Sequence, residues 1–145
     1  MINEDYDISI TGIQSIIDGE DDEISINTVG SYTKQGGARY ITYNEYDPEL
    51  PSSIHTSTLK VEPDCVTLIS EQSNTRLILE RGKRHRCCYD TGFGTLAMGV
   101  FTSTLLCDLK ENGGRLNVKY TLDIDSVLSS CNEITVDVRR RGQVL

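Results

Sequence analysis

The chain has no tryptophan, two phenylalanines, three prolines and two histidines in 145 residues. Each shortage excludes a class of protein. With so few rings, only the seven tyrosines could serve as stacking platforms, a poor supply for gripping single-stranded nucleic acid. His55 and His85 show no HxxxH or HExxH spacing, which removes the zinc hydrolases, and a Ser-His-Asp triad would have to recruit one of them by chance geometry. GxSxG, GxxxxGK[ST] and GxGxxG are absent, so the chain offers no nucleophile elbow, phosphate cradle or dinucleotide loop; Gly92-Phe93-Gly94 reads only as a turn. No long apolar run occurs, and Met1-Ile2-Asn3-Glu4-Asp5 lacks the basic start and apolar stretch of an export signal. The expectation is a cytoplasmic protein without membrane contact.

Positive charge is missing before Lys34. Residues 1–72 hold 14 acids and 3 bases, a balance of −11, whereas residues 73–145 hold 8 acids and 11 bases, a balance of +3, within a net charge of −8. The basic stretch Arg81, Lys83, Arg84, His85, Arg86 could contact nucleic acid or an acidic protein, but the acidity of the whole works against phosphate neutralisation, so nucleic acid is a poor partner. If the first and last strands are neighbours, Arg139, Arg140 and Arg141 offer cross-strand ion pairs to the acidic start. Asp18-Gly19-Glu20-Asp21-Asp22 lacks EF-hand spacing and reads as a solvated turn. The five cysteines, 65, 87, 88, 107 and 131, form no CxxC, and Cys87 and Cys88, adjacent on a strand, point to opposite faces. They read as small reduced residues, with a vicinal disulfide at Cys87–Cys88 as the alternative. No metal or cofactor is expected.

What is present is alternation. Leu116, Val118, Tyr120, Leu122 and Ile124 interleave with Asn117, Lys119, Thr121, Asp123 and Asp125, and Ile134, Val136 and Val138 with Thr135, Asp137 and Arg139. Ser129-Ser130-Cys131-Asn132 reads as the bend between these two runs. Leu96, Met98 and Val100 share a face, Gly99 marks a bulge or bend, and Glu111-Asn112-Gly113-Gly114 supplies a hairpin turn. Ile8 and Ile10 begin the first strand. Further short runs fall between Gln35-Gly36-Gly37, residues 47–53, Pro63-Asp64, Gln72-Ser73-Asn74 and Arg81-Gly82-Lys83. The pattern predicts one all-β domain over residues 1–145, a single antiparallel up-and-down meander of roughly 8–10 strands closed into a barrel, with a two-sheet sandwich as the alternative.

Several segments carry a likeness to a known family. Tyr40-Ile41-Thr42-Tyr43-Asn44-Glu45, Thr58-Leu59-Lys60, the run Leu79 to Arg86, the turn Tyr89 to Gly94 and the run Gly114 to Tyr120 resemble the YwiB-like family of uncharacterised bacterial proteins, over most of the chain from Asp7 to Val138. The resemblance implies a calycin-like or lipocalin-like β-barrel and no chemistry. Gly92-Phe93-Gly94 stands where the family usually has Pro-Tyr-Gly, and Ser70-Glu71-Gln72 where it has Arg-x-Gly.

Counting alternation places Tyr43 and Glu45 on the face of Ile41, and Thr56, Thr58 and Lys60 on one face of the next strand, so that Glu45 and Lys60 are expected to meet inside the barrel. Gln14, Thr102, Tyr89 and Thr91 are further inward candidates. Inward charge demands a satisfied network or a solvated pocket. Three functions follow. The first is a non-enzymatic binding module for a small polar or amphipathic ligand using Tyr43, Glu45, Thr58, Lys60 and Tyr89. The second is a solid-core barrel that docks a protein partner through its outer face or loop 47–53. The third is an enzyme working through Glu45 or Lys60, which the sequence equips with no nucleophile.

Overall fold

Alternating apolar residues and short turns give ten strands: β1 (Tyr6–Ile16), β2 (Asp21–Gln35), β3 (Ala38–Tyr46), β4 (Ile54–Glu62), β5 (Cys65–Ser70), β6 (Thr75–Glu80), β7 (Arg84–Asp90), β8 (Thr95–Lys110), β9 (Gly113–Ile124) and β10 (Val127–Arg140). The computed structural model describes residues 5–16, 19–46, 54–70, 75–90, 94–125 and 127–141, apart from the side chains of Tyr46, Thr75, residues 87–90, Thr95 and Leu96. The strands form one antiparallel sheet in the order β6-β5-β4-β3-β2-β1-β10-β9-β8-β7. The first and last strands are neighbours, as expected, paired from Tyr6↔Arg140 to Ile16↔Ser130. The chain therefore makes two meanders, β1–β6 and β7–β10, joined by the β1–β10 ladder.

The sheet curls into a nearly closed barrel whose inward residues form the core. Ile8, Ile41, Leu116, Val118 and Val136 are at most 1% exposed, and Tyr32, Leu59, Val61, Val66, Leu79, Leu105 and Val138 are buried around them. A buried aliphatic side chain of this kind contributes about 1.5–3 kcal/mol by leaving water. At the lower end, which holds the β2–β3, β4–β5 and β8–β9 turns, the ring of Tyr6 meets that of Tyr32 edge-on at 5.4 Å, and the Arg39 guanidinium lies 5.6 Å from the Tyr32 centroid. Gly113 and Gly114 take φ of 123° and 149°, which favours the glycine pair that the sequence supplies at the β8–β9 turn.

Closure falls between β6 and β7, in the middle of the chain. These strands share the three-residue turn 81–83 yet form no ladder with each other. Instead the turn rests on β8, where the Gly82 N–H donates to the Thr102 carbonyl at 2.8 Å. β8 continues past β7, and its far end is tied to the other meander by the Tyr32 hydroxyl and the Arg39 guanidinium, which donate to the Lys110 carbonyl at 2.6 and 3.3 Å.

Two sequence expectations are corrected. Ser129 to Asn132 is no bend: the β9–β10 connection falls between Ile124 and Val127, where Asp125 takes φ 52°, and β10 runs through 129–132 with a register shift between Leu128 and Ser130. The bulge of β8 lies between Thr102 and Thr104 and not at Gly99. Gly99 has another task. A Cβ there would collide with the Arg84 guanidinium, which crosses the glycine to pair with Asp123, its Nε 3.0 Å from Oδ2.

Gly30 and Gly12 test the packing of the inner face. A Cβ on Gly30 would strike the Thr42 carbonyl oxygen and the Ile8 Cδ1 atom, whereas one on Gly12 meets nothing within 4 Å. Gly30→Ala is expected to lower the unfolding free energy by about 1–3 kcal/mol through overpacking, and Gly12→Ala to leave it unchanged or raise it by about 0.5 kcal/mol. Urea unfolding of both variants checks this.

Candidate functional site: the polar half of the barrel interior

Along the strands the inner face changes character at mid-height. Towards the lower end it is almost wholly apolar. Above that level β3 turns inward Tyr43 and Glu45, β4 Ser57 and His55, β1 Gly12 and Gln14, β2 Thr28, β9 Tyr120, and β10 Asn132 and Ser130, as their registers with buried Ile8, Ile41, Leu59 and Val118 require. At the rim of this upper end Ile16, Ile24 and Val127, on the same inner face, are 47%, 59% and 70% exposed. A polar middle is thus bordered by an apolar plug below and an apolar lip above.

The polar groups are partly satisfied among themselves. Tyr43 is buried, and Ser57 and Glu45 both hydrogen-bond its hydroxyl; burial, and then the negative charge of Glu45, hold its proton well above the usual tyrosine range. Burial also pushes the Tyr120 hydroxyl upward. The Thr28 hydroxyl donates to the Asn44 carbonyl at 3.2 Å, and the Asn132 amide donates to the Ser130 hydroxyl at 3.1 Å. Thr102, opposite Tyr120 and 0% exposed, has a hydroxyl without a hydrogen-bond partner among the described residues. Gly12, on this inner face opposite exposed Ile24, borders open space. In this half no Lys or Arg faces inward among the described residues, so its formal charge comes from Glu45 and Asp22. No cluster of three His, Cys, Asp or Glu side chains occurs among the described residues.

Four of the inward expectations match this geometry: Tyr43, Glu45, Gln14 and Thr102 lie on the inner face. Thr56, Thr58 and Lys60 do not. Buried Ser57, Leu59 and Val61 fix the inward set of β4, which turns Thr56, Thr58 and Lys60 outward. Thr56 bonds the Asn44 side chain at 3.0 Å, Thr58 lies 3.4 Å from the Thr42 hydroxyl, and the Lys60 Nζ lies 3.9 Å from Glu62. Glu45 faces His55 across the β3–β4 ladder and Lys60 faces Tyr40, so the expected Glu45–Lys60 meeting does not occur. Tyr89 is a β7 residue whose side chain lies outside the described residues, as do Thr91, loop 47–53, the side chains of Cys87 and Cys88, and most of both family-variant turns. Cys65, Cys107 and Cys131 are free. Sequence reasoning missed Ser57 and His55, although their spacing from Leu59 and Val61 carried the signal; Ser130 and Asn132 were hidden by the bulge beside them.

Outside the barrel the basic stretch is largely paired. Arg81 bonds Asp64, Lys83 and His85 bond Glu80 at 3.3 and 2.8 Å, and Arg84 bonds Asp123. His85 is half-buried. The Glu80 carboxyl is held below the usual carboxylate range, mainly by the His85 bond. Shallow depressions lie on the outer wall, one bordered by Asp7, Ser9, Asn27, Val29, Asp137 and Arg139.

Comparison with known proteins adds a family. The family described as "Domain of unknown function (DUF1934)" matches residues 8–136. The chain belongs to it. The crystal structure of ywiB protein from Bacillus subtilis is similar in fold, with a TM-score of 0.78 at 18% identity, covering 93% of this chain and 90% of that chain. The YwiB-like resemblance and the barrel it implied therefore hold. No curated protein matches the chain. No helix among the described residues is long and apolar enough to cross a membrane.

Two outcomes follow from the polar half. Tyr43 and Tyr120 hold their protons more tightly in the folded barrel than in the unfolded chain, where tyrosine ionises near pH 10. Their contribution to stability is complete below about pH 10 and is lost as pH rises above it. Urea midpoints between pH 8 and 11.5 are expected to fall, less steeply in Tyr43→Phe. Thr102→Val replaces an unpartnered buried hydroxyl by a methyl group and is expected to stabilise by about 1 kcal/mol, read by the same unfolding measurement.

Proposed function

We propose that the protein is a non-enzymatic binding module of the cytoplasm that holds a small amphipathic ligand in the upper half of its barrel. One observation carries this reading: on the inner face, Gly12 borders open space between an exposed apolar rim and a buried polar floor. A ligand with an apolar portion at Ile16, Ile24 and Val127 and a hydrogen-bonding head at Tyr43, Glu45, Ser57 and Gln14 matches that division. With Glu45 and Asp22 as the acids of this face and no inward Lys or Arg beside them among the described residues, the head is neutral or cationic. The calycin-like and lipocalin-like resemblance agrees, since eight or more strands give a barrel an interior wide enough for side chains or one small ligand. No cofactor, metal or nucleic acid enters this reading.

The test is thermal unfolding against amines and amino alcohols bearing short alkyl chains. A ligand at a hundred times its dissociation constant adds about 2.7 kcal/mol, which in a domain of this size raises Tm by roughly 5–11 °C. Gly12→Leu, which fills the space, and Glu45→Gln are expected to abolish the shift, and Lys60→Ala, on the outer wall, to retain it. A flat response across the panel, or a shift that survives Gly12→Leu, would sink the proposal.

A further inference from the structure

The seam between β6 and β7 is an unusual place in a barrel. Two strands linked by the turn 81–83 would ordinarily pair along their whole length, yet β6 is laddered to β5 alone and β7 to β8 alone. Beyond their shared turn the two strands approach each other far less than any laddered neighbours do. Near the vertex the space that backbone bonds would fill holds a side-chain pair: Glu80, on the outward register, reaches His85, on the inward register beside Val100, at 2.8 Å. Both strands therefore present main-chain donors and acceptors to the seam that no ladder among the described residues uses. Unpaired edges of this kind invite another extended chain.

The side chains along the seam choose the sign of that chain. Arg81, Lys83 and Arg84, at the vertex, are matched by Asp64, Glu80 and Asp123. Arg76 on β6 and Arg86 on β7, beyond the vertex, are exposed, lie on the outward registers of their strands and make no ion pair among the described residues. In a chain of net charge −8, a seam bounded on each side by a guanidinium that makes no ion pair among the described residues is a local reversal of sign. Half-buried Ile78 lies on the outward register of β6, and half-buried Leu77 on its inward one.

We infer that this seam docks an extended acidic segment of a partner protein, which adds as a strand to the free edges of β6 and β7 and places carboxylates on Arg76 and Arg86. Main-chain bonds supply affinity, and the arginine pair supplies selection for acid on the outer face, with apolar residues turned inward towards Leu77. A nucleic acid would satisfy the arginines but leave the backbone edges unused. This inference is independent of the ligand proposed for the interior.

The experiment uses a labelled, capped eight-residue peptide of alternating valine and glutamate and follows its fluorescence anisotropy with the full chain. Saturable binding is expected, with new hydrogen-exchange protection at β6 and β7 amides. Alternate N-methylation of the peptide backbone is expected to abolish it. The double variant Arg76→Glu/Arg86→Glu is expected to weaken the glutamate peptide by about tenfold or more and to gain the lysine counterpart by a similar factor, which also establishes that the variant is folded. Absence of binding at millimolar peptide, equal binding of the N-methylated peptide, or an unchanged preference in the double variant would overturn the inference. So would oligothymidylate displacing the peptide from the same amides, which would reassign the seam to a phosphate chain.

Discussion

The ladder between β1 and β10 is the constraint on which the rest of this barrel depends. It joins a six-strand meander to a four-strand meander, and its register from Tyr6↔Arg140 to Ile16↔Ser130 decides which residues of both face the interior. A slip of one residue would turn either Ile8 of β1 or Val136 and Val138 of β10 away from the interior, taking buried side chains out of the core. Charge supports the same register weakly. The meander that begins the chain is acidic and the one that ends it carries the arginines, and Arg141 lies 3.6 Å from Asp7 across their junction. Both side chains are about half exposed, so the pair contributes at most about 1 kcal/mol and acts more on alignment than on stability.

From this junction outward, the interior is ordered by height. The lower half is filled by buried apolar side chains and is closed at its base by Tyr32 and Arg39 reaching the end of β8. The upper half keeps tyrosines, hydroxyls, amides and a carboxylate inside a β-wall, an arrangement that costs desolvation at every group and is offset by local bonds such as those of Tyr43 with Ser57 and Glu45. The Thr102 hydroxyl has no partner among the described residues at the level where the wall also loses its ladder, next to the turn that rests on its carbonyl. Polar interior, orphaned hydroxyl and incomplete closure thus occur in one region.

Much of this was legible in the sequence. Strict alternation over Leu116–Ile124 and Ile134–Val138 gave two strands and their faces, and the resemblance through Tyr40–Glu45 and Leu79–Arg86 gave the barrel. Tyr43, Glu45, Gln14 and Thr102 were placed inward by counting alternation onward from Ile41, Ile10 and Val100. Thr58 and Lys60 were misplaced because their strand mixes small polar residues on both faces, and only Leu59 and Val61 distinguish inside from outside. The bulges near Ser103 and Ser129 leave no signal in composition, since a single extra residue reverses facing without changing residue type. The mid-chain seam was illegible for a further reason: its turn, Arg81-Gly82-Lys83, is an ordinary hairpin turn, and what it lacks is a partner ladder.

The position of the seam also dictates an order of assembly. Each meander can form from local hairpins as it is synthesised, but the interior has no second wall until residues 127–140 emerge and find β1, more than a hundred positions earlier in the chain. Until then the inner faces of β1 to β6, with Ile8, Ile41 and Leu59, stand open on one side. The nascent chain passes through a stage in which half a barrel exposes its apolar lining, and the rate of the final pairing, a contact of very high sequence separation, governs how long that stage lasts.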